Sequence, residues 1–232
     1  VWMVQGAPFE GWIVAVFAGG IGGILYALSY VLRITSLRYI DTTIYFPLYK
    51  TLGPLLVLGI GLLYFKDNLT SYDFLGIGLG VLVPLMLLSR SEKDRQQNLT
   101  KGLVLLVVTA CIAAVAFATS KIGVDSGVNL WLFITVQSFV GITFAILFAA
   151  PNIKKEKLLD VSLHSKAIRT GLLIGLIDTF NIFFVLMALT TGLVSVIYTV
   201  NSFYILIPIV LSVLFFGEHI NLRKIVAIGL SI

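Results

Sequence analysis

Apolar residues along this chain are grouped in long runs that are separated by short polar breaks. Each of seven complete runs approaches the roughly 20 residues that a helix needs to cross a bilayer. The apolar residues follow one another without the alternation of a barrel strand, so the runs predict membrane-spanning helices. We place these runs at residues 11–32, 42–65, 74–89, 102–120, 128–150, 170–194 and 195–216, and an eighth begins at Ile225.

Basic residues are concentrated in alternate breaks between the runs. The first, third, fifth and seventh breaks contain 13 of the 16 Lys and Arg residues, whereas the other breaks contain only Lys66 and Lys121. Cytoplasmic loops of membrane proteins are enriched in Lys and Arg. The count therefore predicts that the odd-numbered breaks face the cytoplasm and that the first run enters the membrane from outside.

The composition agrees with a chain embedded in lipid. Hydrophobic residues make up 59% of the sequence and charged residues 12%, whereas about a quarter of the residues of a soluble protein are charged. We therefore predict an all-α polytopic membrane protein in contact with the lipid bilayer, with no nucleic-acid partner. Both histidines lie in breaks and there is one cysteine, so no metal site, cofactor site or catalytic triad is predicted.

Two stretches of the chain resemble each other, at residues 40–80 and 193–232. Each has an Ile-Tyr pair near its start, a proline inside an apolar run, an acid at the next break and a glycine in the following run. The corresponding residues are Tyr45 and Tyr198, Pro54 and Pro208, Asp67 and Glu218, and Gly78 and Gly229. Internal repeats in an apolar chain are typical of secondary transporters, which hold the substrate between the repeats.

The order of these motifs resembles the EamA-type permeases of the drug/metabolite transporter superfamily. The Ala-Leu junction at residues 187–195, the proline at 208 and the Gly-Glu signature at 216–221 carry the resemblance, while the first copy has Lys66-Asp67 in place of Gly-Glu. The resemblance implies an inverted-repeat helical bundle of about ten helices. Because the sequence begins with Val1 and ends inside an apolar run, we expect a fragment with seven full helices and one partial helix.

On this map, residues 1–95 hold the last three helices of the first repeat. Residues 96–232 hold four helices of the second repeat and part of a fifth. Since each half of such a bundle has an odd number of helices, the two repeats have opposite sidedness.

Two charged residues lie well inside predicted spans, Lys50 and Asp178. A charge near the centre of a bilayer is costly and usually faces a cavity or a partner. We predict that both residues line a central cavity, with Asn181 on the same helix face as Asp178. They would bind a zwitterionic or anionic substrate, or Asp178 would exchange a proton. A structural ion pair or snorkelling toward the interface is the alternative.

Other polar residues within the spans add to the candidate substrate-binding set. Gln137 and Asn201 are predicted to bond either the substrate or a neighbouring helix. Tyr198, like its counterpart Tyr45, lies near a span end, where tyrosine marks the interface or contributes to a gate. Glycines at positions 19, 20, 22 and 23 and at 76, 78 and 80 are interpreted as close helix contacts.

These features predict a secondary active transporter that moves small organic metabolites by alternating access between two inverted repeats. The alternatives are a multidrug or metabolite exporter and, from other classes, a polytopic membrane enzyme or lipid-handling protein and a non-transporting receptor or scaffold. An enzyme is not predicted, because the breaks contain mainly Lys and Arg rather than clustered His, Asp or Glu. The plasma membrane is the expected location. Proton coupling and a homodimer remain open.

Overall fold

The computed structural model describes residues 11–86, 98–149 and 161–207, and these residues form helices joined by short connections. This confirms the predicted all-α class. The helices are α1 (Trp12–Ser36, with a π-helical stretch at Ala15–Gly19), α2 (Thr42–Ile60, continuing as a π-helical turn at Gly61–Phe65), α3 (Ser71–Met86), α4 (Leu99–Asp125), α5 (Leu130–Ala149), α6 (Val161–Leu189) and α7 (Val194–Ser202, followed by a 3-10 turn at Phe203–Ile205).

Five of these helices are long and apolar enough to cross a membrane, namely α1, α2, α4, α5 and α6. Helix α3 and the segment Val194–Ile205 are apolar but shorter within the described ranges. The polytopic class predicted from the sequence is therefore confirmed. Pro208, Glu218 and the eighth run lie outside the described residues.

Local hydrogen bonds fix the start of α3. The backbone N–H and the hydroxyl of Thr70 donate to Oδ2 of Asp73 at 2.8 and 2.7 Å, and the Asp73 N–H donates back to the Thr70 hydroxyl at 3.3 Å. This reciprocal pair is a capping box. Because the bonds from the Thr70 hydroxyl and backbone favour the charged carboxylate, they hold the pKa of Asp73 below its usual value.

The chain divides into two compact units. The first unit comprises residues 1–28 and 119–191, and the second comprises residues 29–118 and 192–232. Two of the three borders between the units fall inside α1 and α4, and the third lies between α6 and α7. Each unit combines segments from both predicted repeats, so the repeat boundary at residues 95 and 96 stays a prediction.

In the first unit, α1 packs closely against α5 through glycines. A Cβ atom on Gly23 would collide with the carbonyl oxygen of Gln137 and would lie 3.1 Å from the backbone nitrogen of Gly141. A Cβ atom on Gly22 would lie 2.7 Å from the Thr119 hydroxyl oxygen. The predicted role of this glycine group in helix packing is therefore confirmed at Gly22 and Gly23.

In the second unit, α2 is the central helix. It packs against α4 through buried side chains, which include Tyr45, Tyr49, Leu106, Ala110 and Ala113. On another side, α7 contacts both α2 and α3. A Cβ atom on Gly80 of α3 would collide with Thr199 of α7, whereas a Cβ atom on Gly76 or Gly78 would have no described atom within 4 Å. Close packing is confirmed at Gly80 and stays a prediction for the other two glycines.

Three contacts between helix ends agree with the predicted alternation of sidedness. Each contact joins two helix ends that the count of basic residues assigns to the same face of the membrane. The contacts are Ser36 Oγ to the Gly102 carbonyl oxygen at 2.9 Å, Ser195 Oγ to Asp67 Oδ2 at 2.8 Å, and Lys121 Nζ to the Leu189 carbonyl oxygen at 2.9 Å. They support the alternation of successive helices, while the absolute orientation rests on the basic residues.

Candidate functional site

Lys50 is buried in the middle of the second unit. Only 6% of the residue is exposed, so its side chain does not snorkel to the surface of the described structure. Its Nζ atom lies 3.7 Å from the ring centroid of Tyr204 on α7 and 5.8 Å from that of Tyr49. An ammonium group at this distance from an aromatic ring makes a cation–π interaction.

Arg33 brings a second cation to the same place, which the sequence did not predict. Its Cζ atom lies 4.8 Å from the ring centroid of Tyr49 and 5.0 Å from that of Tyr30. The sequence placed Arg33 in a polar break, whereas α1 continues through it to Ser36. Tyr30 and Arg33 are three residues apart, which puts them on one face of a helix. This spacing is the sequence signal that could have indicated a cation beside a tyrosine ring.

Tyrosine rings surround these two cations. Tyr45 stacks on Tyr49, with their ring centroids 5.8 Å apart and an interplanar angle of 11°. The Tyr45 hydroxyl faces Arg33 and Thr109 but lacks hydrogen-bond geometry to either. Nε of Arg33 is also buried without a hydrogen-bond partner among the described residues. Buried polar atoms are rarely left unpaired, so both atoms are candidates to bond a group that enters this place.

We call this group the cation–tyrosine cluster, and it lies entirely within the second unit. No carboxylate in the described ranges comes within ion-pairing distance of either cation. The alternative that Lys50 forms a structural ion pair therefore finds no partner among the described residues. The cluster consists of Tyr30, Arg33, Tyr45, Tyr49, Lys50 and Tyr204.

Tyr198 and Asn201 lie on α7, in the same unit as Lys50. Tyr198 is buried, and its ring packs edge-on against Phe117 with 4.8 Å between the ring centroids. It also lies over Gly53, one helical turn beyond Lys50 on α2. Asn201 is half-buried. The structure thus brings Lys50 and Tyr198 to adjacent turns of the contact between α2 and α7, and their predicted role in binding stays a prediction.

Asp178, Asn181 and Gln137 belong to the first unit. Asp178 is half-buried on α6, and Asn181 is exposed one turn further along. Gln137 is buried on α5, and its Nε2 atom lies beside Gly22 without a hydrogen-bond partner within the described ranges. Since Lys50 is in the second unit, a cavity shared by Lys50 and Asp178 stays a prediction.

The contact between Gly53 and Tyr198 gives a direct test of how α2 and α7 pack. A Cβ atom at Gly53 would lie 2.7 Å from the Tyr198 hydroxyl oxygen and 2.8 Å from ring atom Cε1. We expect Gly53→Ala to displace this buried ring and to destabilise the protein by about 1–3 kcal/mol. The unfolding temperature of the purified protein in detergent measures the effect.

Gly59→Ala on the same helix is the matched control, because no described atom lies within 4 Å of a Cβ at that position. We expect its unfolding temperature to equal or slightly exceed that of the unchanged protein, since alanine favours a helix over glycine. Equal losses in the two variants would contradict the packing of Tyr198 on Gly53.

Comparison with known families adds an independent observation. A model of the EamA-like transporter family matches residues 100–232, which is more than half of the chain. No curated protein matches the sequence. The matched region contains helices α4 to α7 and extends to the end of the sequence. The chain therefore belongs to the EamA-like transporter family and is an integral, multi-pass membrane protein that transports small molecules.

Proposed function

We propose that this protein is a secondary active transporter that moves small organic metabolites across the plasma membrane by alternating access. The observation that carries the proposal is the pair of cations, Arg33 and Lys50, held among tyrosines inside an apolar helical unit. Ionisable residues within membrane spans are expensive and usually mark the path of a substrate or an ion.

The relation between α2 and α7 supports alternating access. Gly61, near the end of α2, lies against Ser195 at the start of α7, whereas Lys50, nearer the start of α2, lies against Tyr204 further along α7. The two helices are therefore antiparallel in the second unit. These helices are the ones that the sequence repeat relates, and in inverted-repeat transporters the substrate binds between such elements.

The charge of the cluster distinguishes the proposal from its rivals. Two buried cations disfavour the lipophilic organic cations that many multidrug exporters take, since like charges repel strongly where water is scarce. The match to a transporter family over residues 100–232 favours transport over the enzyme alternative. Metabolite transport is therefore the function we favour.

Flux through the full-length protein in liposomes tests the proposed function. A panel of labelled metabolites is added outside, and uptake is followed against liposomes without protein. We expect time-dependent, saturable uptake of at least one solute, recovered chemically unchanged from the lumen. Recovery of a modified solute, or uptake of no solute in the panel, would contradict the proposal.

Asp178 is the residue that we propose for proton coupling, because it is a half-buried carboxylate within a span. We expect Asp178→Asn to reduce uptake driven by a pH gradient at least about tenfold, since an amide cannot release a proton. Exchange of labelled for unlabelled solute should continue. The control is Asp73→Asn, which changes an exposed carboxylate at the start of α3. Unchanged proton-driven uptake by Asp178→Asn would contradict the coupling role.

A further inference from the structure

We propose that the cation–tyrosine cluster binds the negatively charged group of a small organic solute, a carboxylate or a phosphate. The inference names the substrate class of the proposed transporter and therefore rests on that function. It also assigns a binding role to Arg33.

The cluster holds two positively charged side chains without a matching negative charge among the described residues. Arg33 and Lys50 both approach the ring of Tyr49, at 4.8 and 5.8 Å from its centroid. Two like charges are thus held near one another where the dielectric constant is low. Tyrosine rings compensate only part of each charge, and no described carboxylate pairs with either residue. An anion would complete the balance.

The cluster also contains hydrogen-bonding groups that could bond an anion. Nε of Arg33 and the hydroxyl of Tyr45 are both buried, and neither makes a hydrogen bond of good geometry among the described residues, although the hydroxyl lies near Arg33 and Thr109. A guanidinium presents a planar fork of donors that matches carboxylate and phosphate oxygens, and a tyrosine hydroxyl can donate as well. Lys50 adds a point charge 5.8 Å from the ring centroid of Tyr49. The guanidinium of Arg33, the hydroxyl of Tyr45 and the ammonium of Lys50 together suit an oxyanion better than a cation or an apolar group.

The position of the cluster is compatible with entry of a solute. Lys50 is the ninth residue of α2, which places it about 12 Å along the helix axis from its start. Tyr30 and Tyr204, at the edge of the cluster, are 47% and 45% exposed. Tyr30 and Tyr204 are thus partly exposed at the edge of the cluster, whereas Lys50 is buried inside it.

Ligand-dependent stabilisation of the full-length protein in neutral detergent tests this proposal. The probes are succinate, benzoate and glycerol 3-phosphate, each matched with an uncharged counterpart: succinamide, benzamide or glycerol. We expect at least one anion to raise the unfolding temperature in a saturable way and its counterpart to leave it unchanged. Equal effects of anion and counterpart would overturn the proposal.

Variants of Arg33 and Lys50 test whether the stabilising anion binds at the cation–tyrosine cluster. We expect Arg33→Gln and Lys50→Met each to weaken the apparent affinity for that anion at least about tenfold, and Arg33→Lys to weaken it less. Lys101→Met is the matched control, because Lys101 also lies over a tyrosine ring, that of Tyr39 at 4.8 Å, but outside the cluster. An affinity unchanged in Arg33→Gln would overturn the proposal even if Lys50→Met fails to fold.

Two further measurements distinguish a soluble anion from a lipid headgroup, and anion binding from transport. Stabilisation by phosphatidylglycerol vesicles but by none of the small anions would assign the site to a lipid headgroup and overturn the proposal. Anion binding without flux in liposomes would leave the anion site standing and remove the proposed transport function. If the protein transports only neutral or cationic solutes, and Arg33→Gln does not change that flux, the transport function stands and the anion site is overturned.

Discussion

Replacing Gly23 with alanine is expected to lower the unfolding temperature of the protein more than any other single methyl addition considered for the first unit. The new Cβ atom would collide with the carbonyl oxygen of Gln137 and would crowd the backbone of Gly141. Because these neighbours are backbone atoms of α5, they cannot rotate away, and α1 and α5 must separate. Overpacking of this kind typically destabilises a protein by about 1–3 kcal/mol, and we expect a value at the upper end.

Gly20→Ala is the control for this prediction. It lies on the same helix, and its Cβ would meet only a methyl group of Val140, at 4.0 Å. Since alanine favours the helix by about 0.5–1 kcal/mol over glycine, we expect Gly20→Ala to be neutral or slightly stabilising. Thermal unfolding in detergent and the monodisperse yield of the purified protein measure both variants. A Gly23→Ala protein as stable as Gly20→Ala would show that α1 and α5 are not in close contact.

The second large effect is expected for Asp67→Ala. Oδ2 of Asp67 accepts hydrogen bonds from the backbone N–H of Ser195 at 3.1 Å and from its hydroxyl at 2.8 Å. A carboxylate at a helix N-terminus is favoured by the helix dipole as well as by these bonds. Hydrogen bonds to charged groups contribute about 1.5–3 kcal/mol, so we expect a loss of stability in this range.

A double-mutant cycle isolates the contact between the two residues. Ser195→Ala removes the hydroxyl and keeps the backbone donor, so its loss should be smaller than that of Asp67→Ala. The double variant should lose less than the two single losses combined, with a coupling of about 1 kcal/mol. Asn68→Ala, at an exposed neighbouring position, is the control. Strict additivity, or equal behaviour of Asp67→Ala and Asn68→Ala, would contradict the capping role of Asp67.

The sequence predicted the class of this fold because the physics of the bilayer leaves few choices. A long apolar run without alternation must pair its backbone groups internally, and a helix does so within the segment. The glycines could be interpreted for a related reason, since a missing Cβ allows two helices to approach closely. Gly23 and Gly80 show such approaches in the structure.

The sequence could not predict which residues meet across the bundle. The sequence predicts that Arg33 lies in a loop, because it follows the apolar run of α1. In the structure the helix continues past Arg33, and the guanidinium lies over the ring of Tyr49 on the next helix. From the sequence, Asp67 is interpreted only as the acid that follows the proline-containing run of the first repeat. Its partner, Ser195, is 128 residues away, and no local pattern encodes that distance. Long-range pairing depends on how the helices pack, which hydrophobic periodicity does not specify.

The bond between Asp67 and Ser195 has a consequence for biosynthesis. The ribosome completes α2 and α3 well before α7 exists, and the chain from Asp67 to Ser195, a separation of 128 residues, takes on the order of ten seconds to translate. During that interval Gly53, Gly61 and Gly80 have not yet met the helix that covers them, and the Asp67 carboxylate lacks its two donors. Helices α2, α3 and α4 can already pack together at that stage, but the face of α2 and α3 that α7 covers must stay open to lipid until α7 arrives.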